Sequence, residues 1–248
     1  MTTLFLAWQD PKESRAWYPI GRLDADASKG LFRFRYVRGA QRAQREAGMT
    51  PLISFPDIKK RYESTELFPL FKNRILSPDR EEFEDYLREL DLTPDKADPL
   101  EILALSEGRR QTDTLEVFPK INVSENGAFR CRFFLHGWRH VCEPSQERIN
   151  TLMPGEELRV ALEMNNPATG LAVQVQTGDY QMVGWTPRYL VLDLARAIGE
   201  SFKNIRAAVV KVNPSPAPSQ QRVLIEMTGS WPKRYEPMSD EDLADISA

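Results

Sequence analysis

Apolar and polar residues follow two kinds of pattern along the chain, and the first segments have the patterns typical of β-strands. Residues 3–8 are apolar enough for a buried strand, and residues 31–37 alternate apolar with basic side chains, as a half-buried strand does. Residues 17–23 fit another strand, which the turn-forming run 24–30 ends. The chain is therefore predicted to begin with a sheet.

Helical periodicity follows a stretch that has little pattern. Residues 38–65 carry Gly, Pro, Arg and Lys without a clear period, and we expect a loop there. The Ser-Pro-Asp sequence of residues 77–79 is typical of a helix start. The predicted helix then shows one apolar stripe, formed by Phe83, Tyr86, Leu87 and Leu90. The Asp-Pro pair 98–99 opens a second helix, and residues 115–118 return to a strand.

The second half of the chain returns to the period of strands. The Asn-Gly pair 126–127 is a turn signal, and we expect a strand from residue 129 to residue 141. Further strands are predicted at residues 157–163, 171–176, 181–185, 206–212 and 222–227. Short helices are predicted at residues 144–152 and 187–198.

Length and composition fit two globular units. The chain has 248 residues, of which 41% are hydrophobic and 28% charged, and roughly 150 residues per domain allow one large unit or two small ones. We predict a small mixed α/β unit over residues 1–122, a strand-rich α+β unit over residues 123–232 and a loosely held acidic tail over residues 233–248. No apolar run approaches the roughly 18 residues of a membrane span, and the N-terminus lacks a signal peptide's basic region. We therefore expect a cytoplasmic protein without a membrane partner.

Both cysteines and both histidines lie within twelve residues, namely Cys131, His136, His140 and Cys142. Such ligands form tetrahedral zinc sites, but the spacing C-x4-H-x3-H-x-C matches no common zinc motif. Cys131 also has the opposite strand parity to the other three, unless a turn near Gly137 changes it. We expect no metal, and the alternatives are a zinc site or a Cys142 nucleophile beside His140 that lacks an orienting third group.

Motifs for catalysis are absent from the sequence. There is no Gly-rich phosphate loop, no G-x-S-x-G and no H-E-x-x-H. The acidic cluster of residues 81–85 fits the solvated face of the predicted helix near its N-terminus. We therefore expect a protein with no catalytic activity and no cofactor.

Arginines are spread over the strand-rich unit, which favours nucleic-acid binding because the guanidinium group recognises phosphate. Arg130 and Arg132 lie two residues apart and therefore share a strand face. Arg139 has the opposite parity and shares that face only if a turn at Gly137 shifts the alternation. The net charge of the chain is −3. However, residues 129–212 hold ten Lys and Arg against eight Asp and Glu, a net +2, whereas the remainder holds 23 against 28, a net −5. The proposed binding unit is therefore mildly basic, although ordinary surface charge is the alternative explanation.

Five ordered landmarks make residues 133–194 resemble the HIRAN domain. They are Gly137-Trp138-Arg139-His140-Val141, Met153-Pro154-Gly155-Glu156, Asn165-Asn166-Pro167, Ala172-Val173-Gln174-Val175 and Val183-Gly184-Trp185-Thr186-Pro187-Arg188. The resemblance implies a partly open β-barrel related to the OB-fold. It also implies binding of single-stranded DNA or DNA ends by a non-catalytic accessory module of a DNA repair or defence-type system.

The same resemblance implies a set of binding residues. Arg139 and His140 fall on the family's phosphate- and base-contacting positions, and the Asn pair 165–166 falls on the loop that faces the terminal nucleotide. Aromatic side chains supply stacking platforms for single strands. The full predicted set is Trp138, Arg139, His140, Asn165, Asn166, Trp185, Arg188, Arg130 and Arg132.

Residues 4–119 are similar to the first N-terminal subdomain of HipA-type kinases. The similarity rests on the opening strand, on residues 71–78 and on residues 99–104. It implies an alternative function, a regulatory or toxin–antitoxin-like module that docks a separately encoded protein on residues 1–122 without binding nucleic acid. Ala168 and Thr169 favour this alternative, because HIRAN domains usually have an aromatic residue or His and then Asp in those places.

Overall fold

The computed structural model describes residues 1–12, 14–26 and 28–246, which form two compact units. Unit 1 comprises Met1–Arg88, Leu92–Lys120 and Met238–Ala248, and unit 2 comprises Glu89–Asp91 and Ile121–Pro237. Each unit is built on one antiparallel sheet, so the predicted α+β class is confirmed. Within the described ranges, no helix combines the length and the apolar character that crossing a bilayer requires.

Five strands form the sheet of unit 1: β1 (Thr2–Gln9), β2 (Trp17–Asp26), β3 (Leu31–Tyr36), β4 (Tyr62–Ser64) and β5 (Leu115–Pro119). Their order is β4-β3-β2-β1-β5. Phe34, Phe55 and Phe71 lie at the centre of the core, each at most 1% exposed, and the rings of Phe34 and Phe55 stack with centroids 3.9 Å apart. The three strands predicted at residues 3–8, 17–23 and 31–37 are confirmed as β1, β2 and β3. Only the last was predicted from alternation, and β1 buries four consecutive residues.

Among the residues that the structure describes, four α-helices precede residue 120: α1 (Arg38–Ala47), α2 (Pro69–Lys72), α3 (Phe83–Glu89) and α4 (Pro99–Ser106). The predicted start of α4 is confirmed, because the Asp98 carboxylate accepts a hydrogen bond from the backbone N–H of Leu100 at 2.9 Å. The loop predicted over residues 38–65 is wrong at α1. This helix buries only Gly39, Ala40 and Ala43, so it lacks the stripe of large apolar residues that marks most helices.

Six strands form the sheet of unit 2: β6 (Ala128–Phe134), β7 (Glu157–Asn166), β8 (Gly170–Gln176), β9 (Met182–Trp185), β10 (Arg206–Val212) and β11 (Val223–Ser230). Their order is β6-β11-β10-β7-β8-β9. The edges meet just beyond β6, where His136 and Trp185 exchange two backbone hydrogen bonds of 2.9 Å. This one bridge curls the sheet without closing it along its length, so the predicted partly open barrel is confirmed. Two helices complete the unit: α5 (Glu143–Ile149) and α6 (Val191–Ser201).

The C-terminal residues differ from the loose tail expected from the sequence. Residues 238–246, which we call the strap, lie on unit 1. The backbone N–H of Arg38 donates to the carbonyl of Ala244 at 2.9 Å, and Asp245 forms a one-residue bridge with Val37. Ile246 packs against the core of unit 1. Local patterns do not predict the strap because its partners lie about two hundred residues earlier in the chain.

Candidate functional site

The predicted binding residues at the end of β6 lie on a turn and not on a strand. The strand expected to reach residue 141 ends at Phe134, and Gly137 then adopts a left-handed conformation with φ of 65°. A short 3₁₀ turn, Trp138–His140, follows. A Cβ atom on Gly137 would lie 2.5 Å from the Trp185 ring, so both the backbone angle and the close approach require glycine here. The two-residue alternation of a strand therefore does not determine which way the side chains after Gly137 face.

The 3₁₀ turn is anchored through its backbone. The Gln146 side chain on α5 donates hydrogen bonds to the carbonyl oxygens of Val141 at 2.9 Å and Arg139 at 3.2 Å. The backbone N–H of His140 donates to the carbonyl of Gly137 at 2.8 Å. The backbone of Arg139 is therefore held in place while its side chain, like that of His140, is exposed.

The predicted arginines differ in whether a carboxylate neutralises them. Arg130 pairs with Glu226 at 2.7 Å, and Arg132 pairs with Asp91. Among the residues that the structure describes, none forms an ion pair or a hydrogen bond with the Arg139 side chain. Arg139 therefore presents an uncompensated positive charge to solvent, whereas the charges of Arg130 and Arg132 are already matched.

A carboxylate that the sequence did not single out joins the two ends of the site. The Glu163 carboxylate on β7 accepts hydrogen bonds from the indole N–H of Trp185 at 2.5 Å and from the Asn166 amide at 3.0 Å. Burial acts to raise the pKa of Glu163, but hydrogen bonds from Trp185, Asn166 and a glutamine outweigh it and keep the pKa below its ordinary value. Glu163 is therefore ionised at neutral pH and holds Trp185 against Gly137.

The turn between β7 and β8 satisfies most of its own polar groups. The side-chain oxygen of Asn166 accepts hydrogen bonds from the backbone N–H of Ala168 at 3.0 Å and from the N–H and hydroxyl of Thr169 at 3.1 and 3.0 Å. Asn166 is 9% exposed, whereas Asn165 is exposed and left-handed with φ of 64°. Asn166 thus shapes the turn, and the Asn165 side chain is available to a ligand.

The remaining predicted residues lie on either side of this cluster. Trp138 is half-buried and donates its indole N–H to the carbonyl of Ser219 at 2.6 Å. The guanidinium of Arg222 lies 5.9 Å from the Trp138 ring centroid. Arg188 is half-buried in a 3₁₀ turn that follows β9. The structure therefore links the Gly137 turn, Trp185 and the Asn pair 165–166 through Glu163. An isolated acid near a strand end was the only sequence signal for Glu163.

The cysteines and histidines do not assemble into a metal site in the described part of the chain, where no group of three or more His, Cys, Asp or Glu side chains is placed to hold an ion. Burial raises the pKa of the Cys131 thiol to about 12. Hydrogen bonding with Ser145 lowers the pKa of the exposed Cys142 thiol. The two thiols therefore differ strongly in reactivity.

A thiol reagent such as dithionitrobenzoate at pH 8 is expected to modify Cys142 and to leave Cys131 intact in the folded protein. The thiolate is the reactive form, and the raised pKa keeps Cys131 protonated. Absorbance should report one reactive thiol in buffer and two in guanidinium chloride. Cys142→Ser should abolish the native reaction, and two rapidly reacting native thiols would contradict the assignment.

Comparisons with known proteins find only weak similarity to this chain. No family model matches the chain, and no curated protein matches it. Of the solved structures, a protein from Lactobacillus plantarum is similar at 16% identity and a TM-score of 0.28, over 42% of this chain and 99% of that one. The HIRAN domain of human HLTF is similar at 18% identity and a TM-score of 0.27, over 50% of this chain and 88% of that one. Values this low leave the family unassigned, so the geometry of the site carries the functional proposal.

Proposed function

We propose that unit 2 is a non-catalytic module that binds single-stranded nucleic acid through the turn bearing Arg139 and His140. The observation that carries this proposal is the exposed Arg139, which no described residue neutralises and whose backbone Gln146 anchors. Guanidinium groups donate bidentate hydrogen bonds to phosphate. A turn that is already ordered adds little conformational cost on binding.

The neighbours of Arg139 supply the other contacts. The exposed His140 and Asn165 carry donors and acceptors for a sugar or a base edge. The half-buried Trp138 offers a ring for stacking. Glu163 and Asn166 act as positioning residues, because their polar groups are occupied within the site. The sequence resemblance to the HIRAN domain supports the same assignment for Arg139 and His140.

Discrimination of a free 3′ end is not part of the proposal. Ala168 provides no ring for stacking, and the Thr169 hydroxyl donates to Asn166. The turn therefore offers no acid and no aromatic side chain at these two positions for a terminal nucleotide. We expect equal affinity for oligonucleotides that end in a 3′-hydroxyl and in a 3′-phosphate. Docking of a separately encoded protein on residues 1–122 stays a prediction from the sequence.

Fluorescence anisotropy with a labelled single-stranded oligonucleotide tests the proposal. Arg139→Ala should weaken binding about five-fold at low salt and should reduce the slope of log K against log salt by about 0.7, the value for one phosphate contact on a single strand. Arg130→Ala is the matched control, since Arg130 is paired with Glu226, and its affinity should stay within two-fold of the parent (roughly 0.4 kcal/mol). No binding by the parent protein at low salt, or equal losses for both variants, would overturn the proposal.

A further inference from the structure

An arginine surface in unit 1 is covered by acids from the same chain. Helix α1 carries Arg38, Arg42 and Arg45 at the spacing i, i+4 and i+7, so the three side chains lie along one stripe at intervals of about one turn. Arg35 on β3 extends the stripe, since it pairs with the strap residue Asp245. We call Arg35, Arg38, Arg42 and Arg45 the arginine face.

Three strap carboxylates lie on this face. Arg38 pairs with Glu241 at 3.0 Å, and Arg35 pairs with Asp245 at 3.0 Å. Arg42 makes a two-pronged contact with Asp242, through Nε at 3.1 Å and Nη2 at 2.5 Å. The fourth arginine, Arg45, is exposed, and no described residue forms an ion pair with it. Outside the strap, Arg35 also pairs with Asp24 at 3.0 Å and Arg42 lies 3.7 Å from Glu46. The strap and these two acids together match three of the four arginines and leave Arg45 open.

We propose that the arginine face is a second surface for nucleic-acid phosphates, in unit 1, which the strap occupies as an acidic competitor. This proposal goes beyond the function proposed for unit 2. Its first support is that the strap is attached mainly through its last three residues, whereas two of its three carboxylates come from residues before them. Ile246, Ala244 and the Asp245 backbone hold the strap. Glu241 and Asp242 supply carboxylates to α1, and the Asp242 backbone carbonyl lies close to Gly39. The two acids can leave the arginines while the strap stays attached.

The second support is the exposure of the ion pairs. The side chain of Glu241 is 82% exposed and that of Arg38 is 43% exposed, and surface pairs of this kind contribute little net stability. A competing anion therefore loses little by displacing Glu241 from Arg38. The two-pronged Arg42–Asp242 pair, whose side chains are 36% and 30% exposed, costs more to displace. The strap is tethered, so it presents its carboxylates at high effective concentration. A short free acidic peptide carries the same groups without that advantage.

Nucleic acid is the polyanion that overcomes a tethered competitor. It carries regularly spaced phosphates at higher charge density than the strap, and its binding releases condensed counterions. Arginine suits it because the planar guanidinium donates two hydrogen bonds to one phosphate. The ring of Tyr18 lies 4.7 Å from the guanidinium of Arg42 and helps to hold that group in position.

The test uses the full chain in an Arg139→Ala background, which weakens the site proposed for unit 2. Every gain is measured against that background, so the two proposals fail separately. The strap is neutralised by Glu241→Gln with Asp242→Asn, which leaves Ile246 and Asp245 in place. Anisotropy with a single-stranded oligonucleotide at low salt should show about five-fold tighter binding than the background. Asp242→Asn alone should give a smaller gain. Adding Arg38→Ala with Arg42→Ala should abolish the gain.

A matched control changes the net charge equally at another place. Glu81→Gln with Glu84→Gln neutralises two exposed acids outside the strap and should leave the affinity within two-fold of the background (roughly 0.4 kcal/mol). The proposal is overturned if the neutral strap gives no gain, if the control gives the same gain, or if the gain survives removal of Arg38 and Arg42. Binding of a labelled peptide of residues 238–246 to the neutral-strap variant, without oligonucleotide binding, would instead identify a surface for acidic peptides.

Discussion

Replacing Gly39 with alanine is expected to destabilise unit 1 by about 3 kcal/mol, which is a large share of the stability of a small domain. A Cβ atom at this position would lie 2.0 Å from the carbonyl oxygen of Pro19 and 3.2 Å from that of Asp242. Both atoms belong to backbone and cannot rotate away. Helix α1 would have to move off β2, and the strap would lose its fit over the helix.

Gly199→Ala is the control for this substitution. Gly199 also lies in a helix, but a Cβ atom there would meet nothing within 4 Å. Alanine should therefore be neutral or should stabilise by up to about 1 kcal/mol through helix propensity. Hydrogen exchange of peptides spanning residues 31–47, together with denaturant unfolding, measures the effect. Equal stabilities for the two variants would show that α1 does not approach β2 as closely as described.

Gly137→Ala is expected to cost unit 2 about 3 kcal/mol and to weaken oligonucleotide binding about ten-fold. A left-handed alanine costs about 1–2 kcal/mol, and overpacking against the Trp185 ring at 2.5 Å adds about 1–3 kcal/mol. Relief of the clash would displace either the turn that presents Arg139 or the ring that Glu163 holds. Binding therefore falls even at temperatures where unit 2 stays folded.

The control for this prediction shares the backbone strain but not the clash. Gly155 has φ of 84°, and a Cβ atom there would meet nothing within 4 Å. Gly155→Ala should cost about 1–2 kcal/mol and leave oligonucleotide affinity unchanged in the anisotropy assay. Equal binding by Gly137→Ala and the parent would mean that the turn geometry does not matter for the ligand.

The sequence predicts elements whose burial follows a regular period. Strand β1 was predicted from an apolar run, β3 from alternation, and the cap at Asp98 from local chemistry. Helix α1 was missed because the face formed by Gly39, Ala40 and Ala43 achieves close packing through small side chains. A pattern of large apolar residues cannot reveal that kind of contact. The end of β6 was misplaced for a related reason, since Gly137 stops the strand where apolar residues continue.

The site was only partly accessible from the sequence because its contacts are long-range. Arg139 and His140 were singled out by residue type and by a family resemblance, and the structure shows both exposed on one turn. The contact between Glu163 and Trp185 spans 22 residues and depends on the registers of β7, β8 and β9. Pairing of Arg130 and Arg132 with carboxylates depends on tertiary placement in the same way. Charge counts could not separate these arginines from Arg139.

The strap has a consequence for the order of synthesis. Arg38 is made 203 residues before its partner Glu241, and ribosomes add roughly 5–20 residues each second. For roughly 10–40 s, the arginines of residues 38–45 in each new chain are therefore not covered by the strap. During the same interval the place of Ile246 in the core of unit 1 is unfilled. Unit 1 is thus begun first and completed last, because all of unit 2 is translated before the strap.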